Sequence, residues 1–72
     1  MFLILLFVTT TEGANSYYTY NYSTFANALT NYDNKQAQTT GNASYASYWI
    51  KLYDADGNVI KEEARNLVEI RA

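Results

Sequence analysis

The first eight residues of the chain, residues 1–8, are all apolar and read MFLILLFV. No basic residue precedes this run, its length is at the lower limit for the apolar part of a secretory signal, and the residues after it form a poor cleavage site. The run is also far too short to span a bilayer as a helix. A short apolar run that ends in turn residues is typical of a β-strand buried on both faces. We therefore predict an interior strand at residues 2–11, with an export segment as the alternative.

A second strand is predicted at residues 17–22, where tyrosines alternate with polar residues. Only a short connection that contains Gly13 separates it from the first strand, which indicates a β-hairpin. The alternation puts three tyrosines on one face of this strand. They are Tyr18, Tyr20 and Tyr22.

A helix is predicted next, over residues 24–38. Ser23 is a suitable N-cap, because its hydroxyl can accept a hydrogen bond from an amide of the first turn. Apolar residues then recur at the spacing of one helical face, namely Phe25, Ala28, Leu29 and Tyr32. This stripe fades towards residue 38, so we expect the last turns to fray. We expect Gly41 to end the helix in the left-handed conformation.

The C-terminal half is predicted to form a second hairpin over residues 45–64. Residues 54–58 (DADGN) match a type I turn with Gly57 in the left-handed conformation at a bulge. The strand after the turn is rich in charge, as protected sheet edges are. The strand before it sends alternate side chains to opposite faces. Tyr48, Ile50 and Leu52 point one way, and Trp49, Lys51 and Tyr53 point the other.

Together these elements predict an α+β fold, in which a four-stranded, mainly antiparallel sheet of order 2-1-3-4 has one helix packed on one face. The two most apolar strands, the first and the third, then lie inside the sheet. The alternative is the order 2-1-4-3 of a β-grasp domain. We expect a single domain, residues 1–72, made of an N-terminal hairpin (1–22), a helix (23–40), a C-terminal hairpin (45–64) and a tail (65–72). The tail could add a strand, form a helical turn or reach a partner.

Two stretches carry a resemblance, residues 20–35 (YNYSTFANALTNYDNK) and residues 48–65 (YWIKLYDADGNVIKEEAR). Their layout of hairpin, capped helix and terminal hairpin resembles that of small, mostly uncharacterised phage and prophage proteins. The resemblance implies an accessory protein that binds and blocks a host defence factor in the cytoplasm of a bacterial host. It brings no functional residue with it, because turns and apolar spacing carry it.

The composition argues against several classes of function. The chain has no cysteine and no histidine, so it lacks disulfides, thiolate metal ligands and the commonest general base at neutral pH. Seven acidic and five basic residues give a formal net charge of −2, which does not suit a surface that neutralises phosphates. We predict a protein that is not an enzyme, holds no metal or cofactor, does not span a membrane and does not bind nucleic acid as its main role.

The turn of the second hairpin superficially resembles a calcium loop. Asp54, Asp56 and Asn58 match the first three ligand positions of such a loop. However, Val59 stands where the loop needs glycine, and Arg65 stands where it needs a glutamate. We therefore predict an ordinary turn.

Two other polar motifs are also better explained without a catalytic or modification role. Glu62 and Glu63 are successive residues of a strand, so their carboxylates should point to opposite faces and not act as an acid–base pair. The triplets at residues 21–23 and 42–44 fit the glycosylation pattern, which arises by chance in a chain rich in Asn and Ser.

The aromatic residues are the strongest candidates for a binding surface. If the helix covers the face of the sheet that carries Tyr48, the opposite face is open and also holds half of the apolar residues of the first strand. Such a face is larger than a monomer usually exposes. The candidate surface residues are Trp49, Tyr53 and Lys51 on the third strand, and Tyr18, Tyr20 and Tyr22 on the second.

We predict that this surface binds protein. The partner is either a host protein or a second copy of the chain, as in a self-assembling structural or virion-associated protein. The remaining alternatives are cover by the tail and stacking of single-stranded nucleic acid on the aromatic rings.

Overall fold

The computed structural model describes residues 1–71, which form four strands and two helices. The elements are β1 (Phe2–Thr10), β2 (Asn15–Tyr22), α1 (Phe25–Thr40), β3 (Tyr45–Tyr53), β4 (Val59–Asn66) and α2 (Leu67–Arg71). The four predicted strands and the main helix are all present, with bounds that differ by a few residues. Ala72, the last residue of the predicted tail, lies outside the described residues.

The strands form one antiparallel sheet of order β2-β1-β3-β4. This confirms the predicted order 2-1-3-4, and the β-grasp order 2-1-4-3 is wrong. The apolar strand β1 lies between β2 and β3, while the polar strand β2 and the charged strand β4 form the two edges. The physical reason is that an interior strand has both backbone edges paired and its side chains flanked by those of two neighbouring strands, which favours the apolar strands there and the polar strands at the edges.

The core lies between α1 and one face of the sheet. Even-numbered residues of β1 and β3 point towards the helix, and Ile4, Val8, Ile50 and Leu52 are fully buried. The helix contributes its own buried side chains, among them Tyr32. The complete core is Ile4, Leu6, Val8, Ala28, Tyr32, Tyr48, Ile50, Leu52 and Leu67. The helix thus covers the Tyr48 face and, within residues 1–71, leaves the opposite face without a covering element.

Both hairpins use the same turn, a type I turn followed by a glycine in the left-handed conformation. In the first hairpin the amide of Thr10 donates to the carbonyl of Ala14 (2.8 Å), and the amide of Gly13 donates to the carbonyl of Thr10 (3.0 Å). The second hairpin makes the same two bonds with Asp54, Gly57 and Asn58. The two turn glycines have φ values of 90° and 86°, which confirms the prediction for Gly57.

The N-terminus of α1 is capped one residue later than predicted. Thr24, not Ser23, is the N-cap, with extended backbone (φ −123°) and a side chain that accepts from the amide of Asn27 at 3.3 Å. Phe25 then starts the helix and is 49% exposed, with its ring 5.7 Å from that of Phe2. The apolar stripe therefore begins at the rim of the core and not within it.

The C-terminus of α1 also differs from the prediction. Gly41 has φ −77°, so the expected left-handed conformation is wrong. The helix continues to Thr40, two residues beyond the predicted end at residue 38, where Thr39 is buried and its hydroxyl donates to the carbonyl of Lys35 at 2.7 Å.

The tail forms the short helix α2 and closes one end of the core. Asn66 caps it by accepting a hydrogen bond from the amide of Glu69 at 3.2 Å. Leu67 is fully buried in the core. Arg71 donates to the backbone carbonyl of Thr40, the last residue of α1, and to those of Asn42 and Tyr45 beyond it, at 2.7–3.1 Å. Of the conformations considered for the tail, the helical turn is the one observed.

Candidate interaction surface

The face of the sheet opposite α1, called the open face below, is the main candidate surface. Odd-numbered residues of β1, β2 and β3 point to it, and the strand register places Phe7 between Tyr17 of β2 and Trp49 of β3. From β4, Ala64 and Glu62 lie on this face, because they pair with Trp49 and Lys51 of β3. Around Phe7, Tyr17 and Trp49 lie Leu3, Leu5, Thr19, Lys51, Tyr53, Glu62 and Ala64.

Phe7, Tyr17 and Trp49 form an aromatic triad at the centre of the open face. The ring centroid of Phe7 lies 4.7 Å from that of Tyr17 and 5.5 Å from that of Trp49, and the centroids of Tyr17 and Trp49 are 6.1 Å apart. Phe7 and Trp49 are stacked at 20°, whereas Tyr17 meets Trp49 edge-on at 73°. These separations are in the favourable range for aromatic pairs. The rings therefore shield one another, while Tyr17 remains 64% exposed.

The charges on the open face are paired with each other. The ammonium nitrogen of Lys51 lies 5.0 Å from the ring centroid of Trp49 and 4.0 Å from the carboxylate of Glu62. Exposed contacts of this kind contribute little to stability. Because the two charges offset each other, the face is close to neutral. A shallow depression of about 370 Å³ lies beside them and is lined by Trp49, Lys51, Glu62, Glu63 and Ala64.

The six residues predicted as a binding surface lie on two sides of the sheet. Trp49, Lys51 and Tyr53 are on the open face, as the alternation in β3 predicts. The three tyrosines of β2 share one face, as predicted, but it is the helix-covered face. They are Tyr18, Tyr20 and Tyr22, paired with Leu6, Ile4 and Phe2. The two sets therefore do not form one contiguous surface.

Phe7 and Tyr17 belong to the centre of the open face and were missed by the sequence reasoning. The signal that could have found them is the first turn. A turn that pairs Thr10 with Ala14 places Phe7 opposite Tyr17 three residues further along each strand. Without that register, the sequence shows Tyr17 only as the first residue of a tyrosine-rich segment and does not show that it pairs with Phe7.

The tail does not cover the aromatic triad. Its buried side chain, Leu67, belongs to the core on the helix side of the sheet. Val68 and Ile70 are 56% and 58% exposed. The expectation that the tail could cover the open face is therefore wrong within residues 1–71.

On the helix side of β4, Glu63 is the centre of a polar cluster. Its carboxylate accepts hydrogen bonds from Gln36 (2.6 Å) and Arg65 (2.6 Å), and a longer one from the hydroxyl of Tyr32 (3.4 Å). The bond from Gln36 and the nearby positive charges of Arg65 and Lys61 lower the pKa of the Glu63 carboxyl. Glu62, the next residue, points to the open face. The two carboxylates therefore diverge, and the Glu63 cluster serves to join β4 to α1.

We expect the variant Glu63→Gln to lose about 1 kcal/mol of unfolding free energy at neutral pH, since charge-assisted hydrogen bonds are replaced by neutral ones. Because the pKa is lowered in the folded state, the stabilisation is present above the pKa of the unfolded chain, near 4.3, and is lost as the pH falls through the folded value. Urea unfolding from pH 7 to pH 3 would measure this loss in the wild type and its reduction in the variant. Glu62→Gln is the matched control, and equal pH dependence of the two variants would contradict the prediction.

The turn at residues 54–58 satisfies its own polar groups. One carboxylate oxygen of Asp54 accepts from the amides of Asp56 and Asn58, each at 2.9 Å, and the bond from the Asn58 backbone lowers the pKa of Asp54. Within residues 1–71, no group of three or more acidic side chains is placed to hold a metal ion. No helix in the same range is long and apolar enough to cross a membrane.

Comparisons with protein-family models, with curated proteins and with solved structures found no match to this chain. The resemblance to small phage proteins therefore stays a hypothesis.

Proposed function

We propose that the chain is a non-catalytic protein-interaction module that binds a protein partner through the open face. The observation that carries the proposal is the aromatic triad of Phe7, Tyr17 and Trp49, which lies at the centre of a sheet face that no element covers within residues 1–71. Interface centres are rich in Trp, Tyr and Phe and poor in charge, and their aromatic anchors supply most of the binding energy.

The size of the open face supports a small but specific interface. Four strands spaced about 4.8 Å apart, each about eight residues long at about 3.4 Å per residue, give a flat footprint of about 500 Å². The accessible area is larger because side chains corrugate the face. This places the surface at the small end of specific protein interfaces, which bury roughly 600–1,000 Å² on each partner.

The chemistry of the face favours a protein over a nucleic acid. Among residues 1–71, Lys51 is the one basic side chain that the register places on the open face, and Glu62 lies 4.0 Å away. Single-stranded nucleic acids need a basic groove in addition to stacking rings. The layout resemblance to phage accessory proteins makes a bacterial host protein, such as a defence factor, our first candidate for the partner.

A second candidate function is self-assembly through the same face. The specific observation is that Lys51 and Glu62 are neighbours across β3 and β4. Two copies packed face to face about a two-fold axis could exchange this pair without bringing like charges together. An increase in mass with concentration that Trp49→Ala abolishes would favour this alternative.

We expect Trp49→Ala to weaken binding of the partner at least about 30-fold, because truncation of an aromatic anchor at an interface centre typically costs about 2 kcal/mol or more. The partner would be isolated from a bacterial lysate with the tagged wild-type chain and identified by mass spectrometry. Its affinity for each purified variant would then be measured by calorimetry, with circular dichroism to verify that the variants fold.

The matched control is Phe25→Ala, which removes an exposed aromatic ring from the helix and not from the open face. This variant should bind as the wild type does. Equal affinities of the wild type and Trp49→Ala, or a larger loss in Phe25→Ala, would show that the open face is not the binding surface.

A further inference from the structure

The two edges of the sheet differ sharply in how they are protected. β4 carries Lys61, Glu62, Glu63 and Arg65, and its pairing with β3 contains a bulge. Charges and bulges are the usual means by which natural sheets prevent pairing at an edge. β2 (Asn15–Tyr22) has neither charge nor proline, and it pairs with β1 in an unbroken register. The edge of β2 is therefore unprotected.

The first turn determines which backbone groups of β2 point outwards. The amide of Thr10 donates to Ala14, so this pair is hydrogen-bonded. In an antiparallel ladder, hydrogen-bonded and non-hydrogen-bonded pairs alternate. Even-numbered residues of β2 therefore direct their amides and carbonyls to β1. The residues that direct theirs to the free edge are Asn15, Tyr17, Thr19 and Asn21.

We propose that the β2 edge pairs in antiparallel fashion with β2 of a second copy and extends the sheet across the two chains. The register that engages all of the outward-directed residues places Asn15 opposite Asn21 of the second copy and Tyr17 opposite Thr19 of the second copy. The two-fold axis then passes between the two Tyr18 residues. This dimer uses the β2 edge and not the open face, so its formation does not depend on the partner proposed for the open face.

The edge is self-complementary, which is why the occupant is a second copy. Every pairing in this register joins polar or aromatic side chains, and no charge faces another, because β2 has none. Tyr18 is 40% exposed, and it would meet its own copy at a non-hydrogen-bonded position, where cross-strand side chains are closest. The nearest cation, Lys35, lies 4.5 Å from the ring of Tyr20, and the two Tyr20 residues would be about 14 Å apart.

The pairing also joins the two open faces. In this register, odd-numbered residues of one β2 pair with odd-numbered residues of the other. Both helices therefore lie on one side of the extended sheet, and both open faces lie on the other. Tyr17 is at the β2 edge of the aromatic triad. In the dimer, the two triads therefore belong to one continuous surface, with a Tyr17 on each side of the seam.

The test is the oligomeric state of edge variants, measured by sedimentation equilibrium over a wide range of concentrations. Thr19→Pro removes an outward-directed amide and leaves the bonds to β1 intact, since proline is tolerated at the free side of an edge strand. We expect the wild type to dimerise, and Thr19→Pro to raise the dissociation constant of the dimer at least 100-fold. The control Thr19→Val keeps the amide and should dimerise as the wild type does.

Two further measurements keep the result unambiguous. If circular dichroism shows that Thr19→Pro does not fold, the double variant Thr19→Lys and Asn21→Lys places like charges along the same edge and should also be monomeric. Amide exchange should slow with increasing wild-type concentration at Tyr17, Thr19 and Asn21, while the even-numbered amides of β2 are protected at every concentration.

Several outcomes would overturn the proposal. A wild type that stays monomeric up to millimolar concentration would do so, as would edge variants with unchanged dimerisation. A dimer that Trp49→Ala dissociates and Thr19→Pro does not would assign self-association to the open face. Conversely, failure to find a partner for the open face leaves the edge result unaffected, because Trp49 lies two strands away from the β2 edge.

Discussion

Replacement of Leu67 by alanine is expected to lower the free energy of unfolding by about 2–5 kcal/mol, the usual cost of truncating a buried leucine. Leu67 is fully buried and belongs to the same core as Tyr32 and Ile50. It is the first residue of α2, so its side chain fastens the C-terminal tail to the end of the core. Small domains have total stabilities near the low end of about 5–15 kcal/mol. A loss of this size would therefore remove a large part of the total stability.

Urea unfolding followed by circular dichroism would measure the effect. The matched control is Val68→Ala, the same kind of truncation one residue further along the same helix, at a side chain that is 56% exposed. We expect the control to change the free energy of unfolding by less than about 0.5 kcal/mol. If the two variants differ by less than about 1 kcal/mol, Leu67 does not fasten the tail to the core.

At alkaline pH, the wild type is expected to lose stability that the variant Tyr32→Phe retains. Burial is the largest cause that raises the pKa of Tyr32 well above its usual range, and the adjacent carboxylate of Glu63 raises it further. The folded state therefore keeps the phenol proton to a higher pH than the unfolded chain does. The stabilisation is fully present below the tyrosine pKa of the unfolded chain, near 10, and declines above it at up to about 1.4 kcal/mol per pH unit.

The experiment compares urea unfolding of the two proteins at pH 8 and at several values above pH 10. At pH 8, Tyr32→Phe should be less stable than the wild type by about 0.5–1.5 kcal/mol, because the hydroxyl donates to Glu63 at 3.4 Å. The difference in unfolding free energy between the wild type and Tyr32→Phe should narrow or reverse as the pH rises above 10. Since the chain has eight tyrosines, Tyr17→Phe, at a 64% exposed position, serves as the control. Parallel pH curves for the wild type and Tyr32→Phe would refute the prediction.

The element order and sheet order were predictable because both follow from local patterns. The apolar run at residues 1–8 and the alternation over residues 45–53 identify the two interior strands. The DADGN string identifies the second turn, and the glycine at position 57 has the expected positive φ. The ends of α1 were less predictable, because Ser23 and Thr24 are both acceptable caps and helix preference alone does not choose between them.

The candidate surface was predicted only in part. Alternation alone states which residues share a face, and it correctly groups Trp49 with Lys51 and Tyr53. It does not state which face of a neighbouring strand is continuous with that group. That depends on the register across the turn, which puts Tyr17, and not the other tyrosines of β2, beside Phe7 and Trp49.

By itself, the sequence determined the strands, the helix, the turn at residues 54–58 and the interior position of β1, because each depends on side-chain periodicity or backbone preference within a short segment. Only the tertiary structure decided that the tail packs Leu67 into the core, that Arg71 holds the chain beyond α1, and that Tyr17 lies beside Phe7 and Trp49. The physical reason is that these features depend on contacts between segments distant in sequence. The apolar run that defines β1 illustrates the division: its pattern predicts burial on both faces, but the fold covers one face with α1 and leaves the other, with Phe7, open.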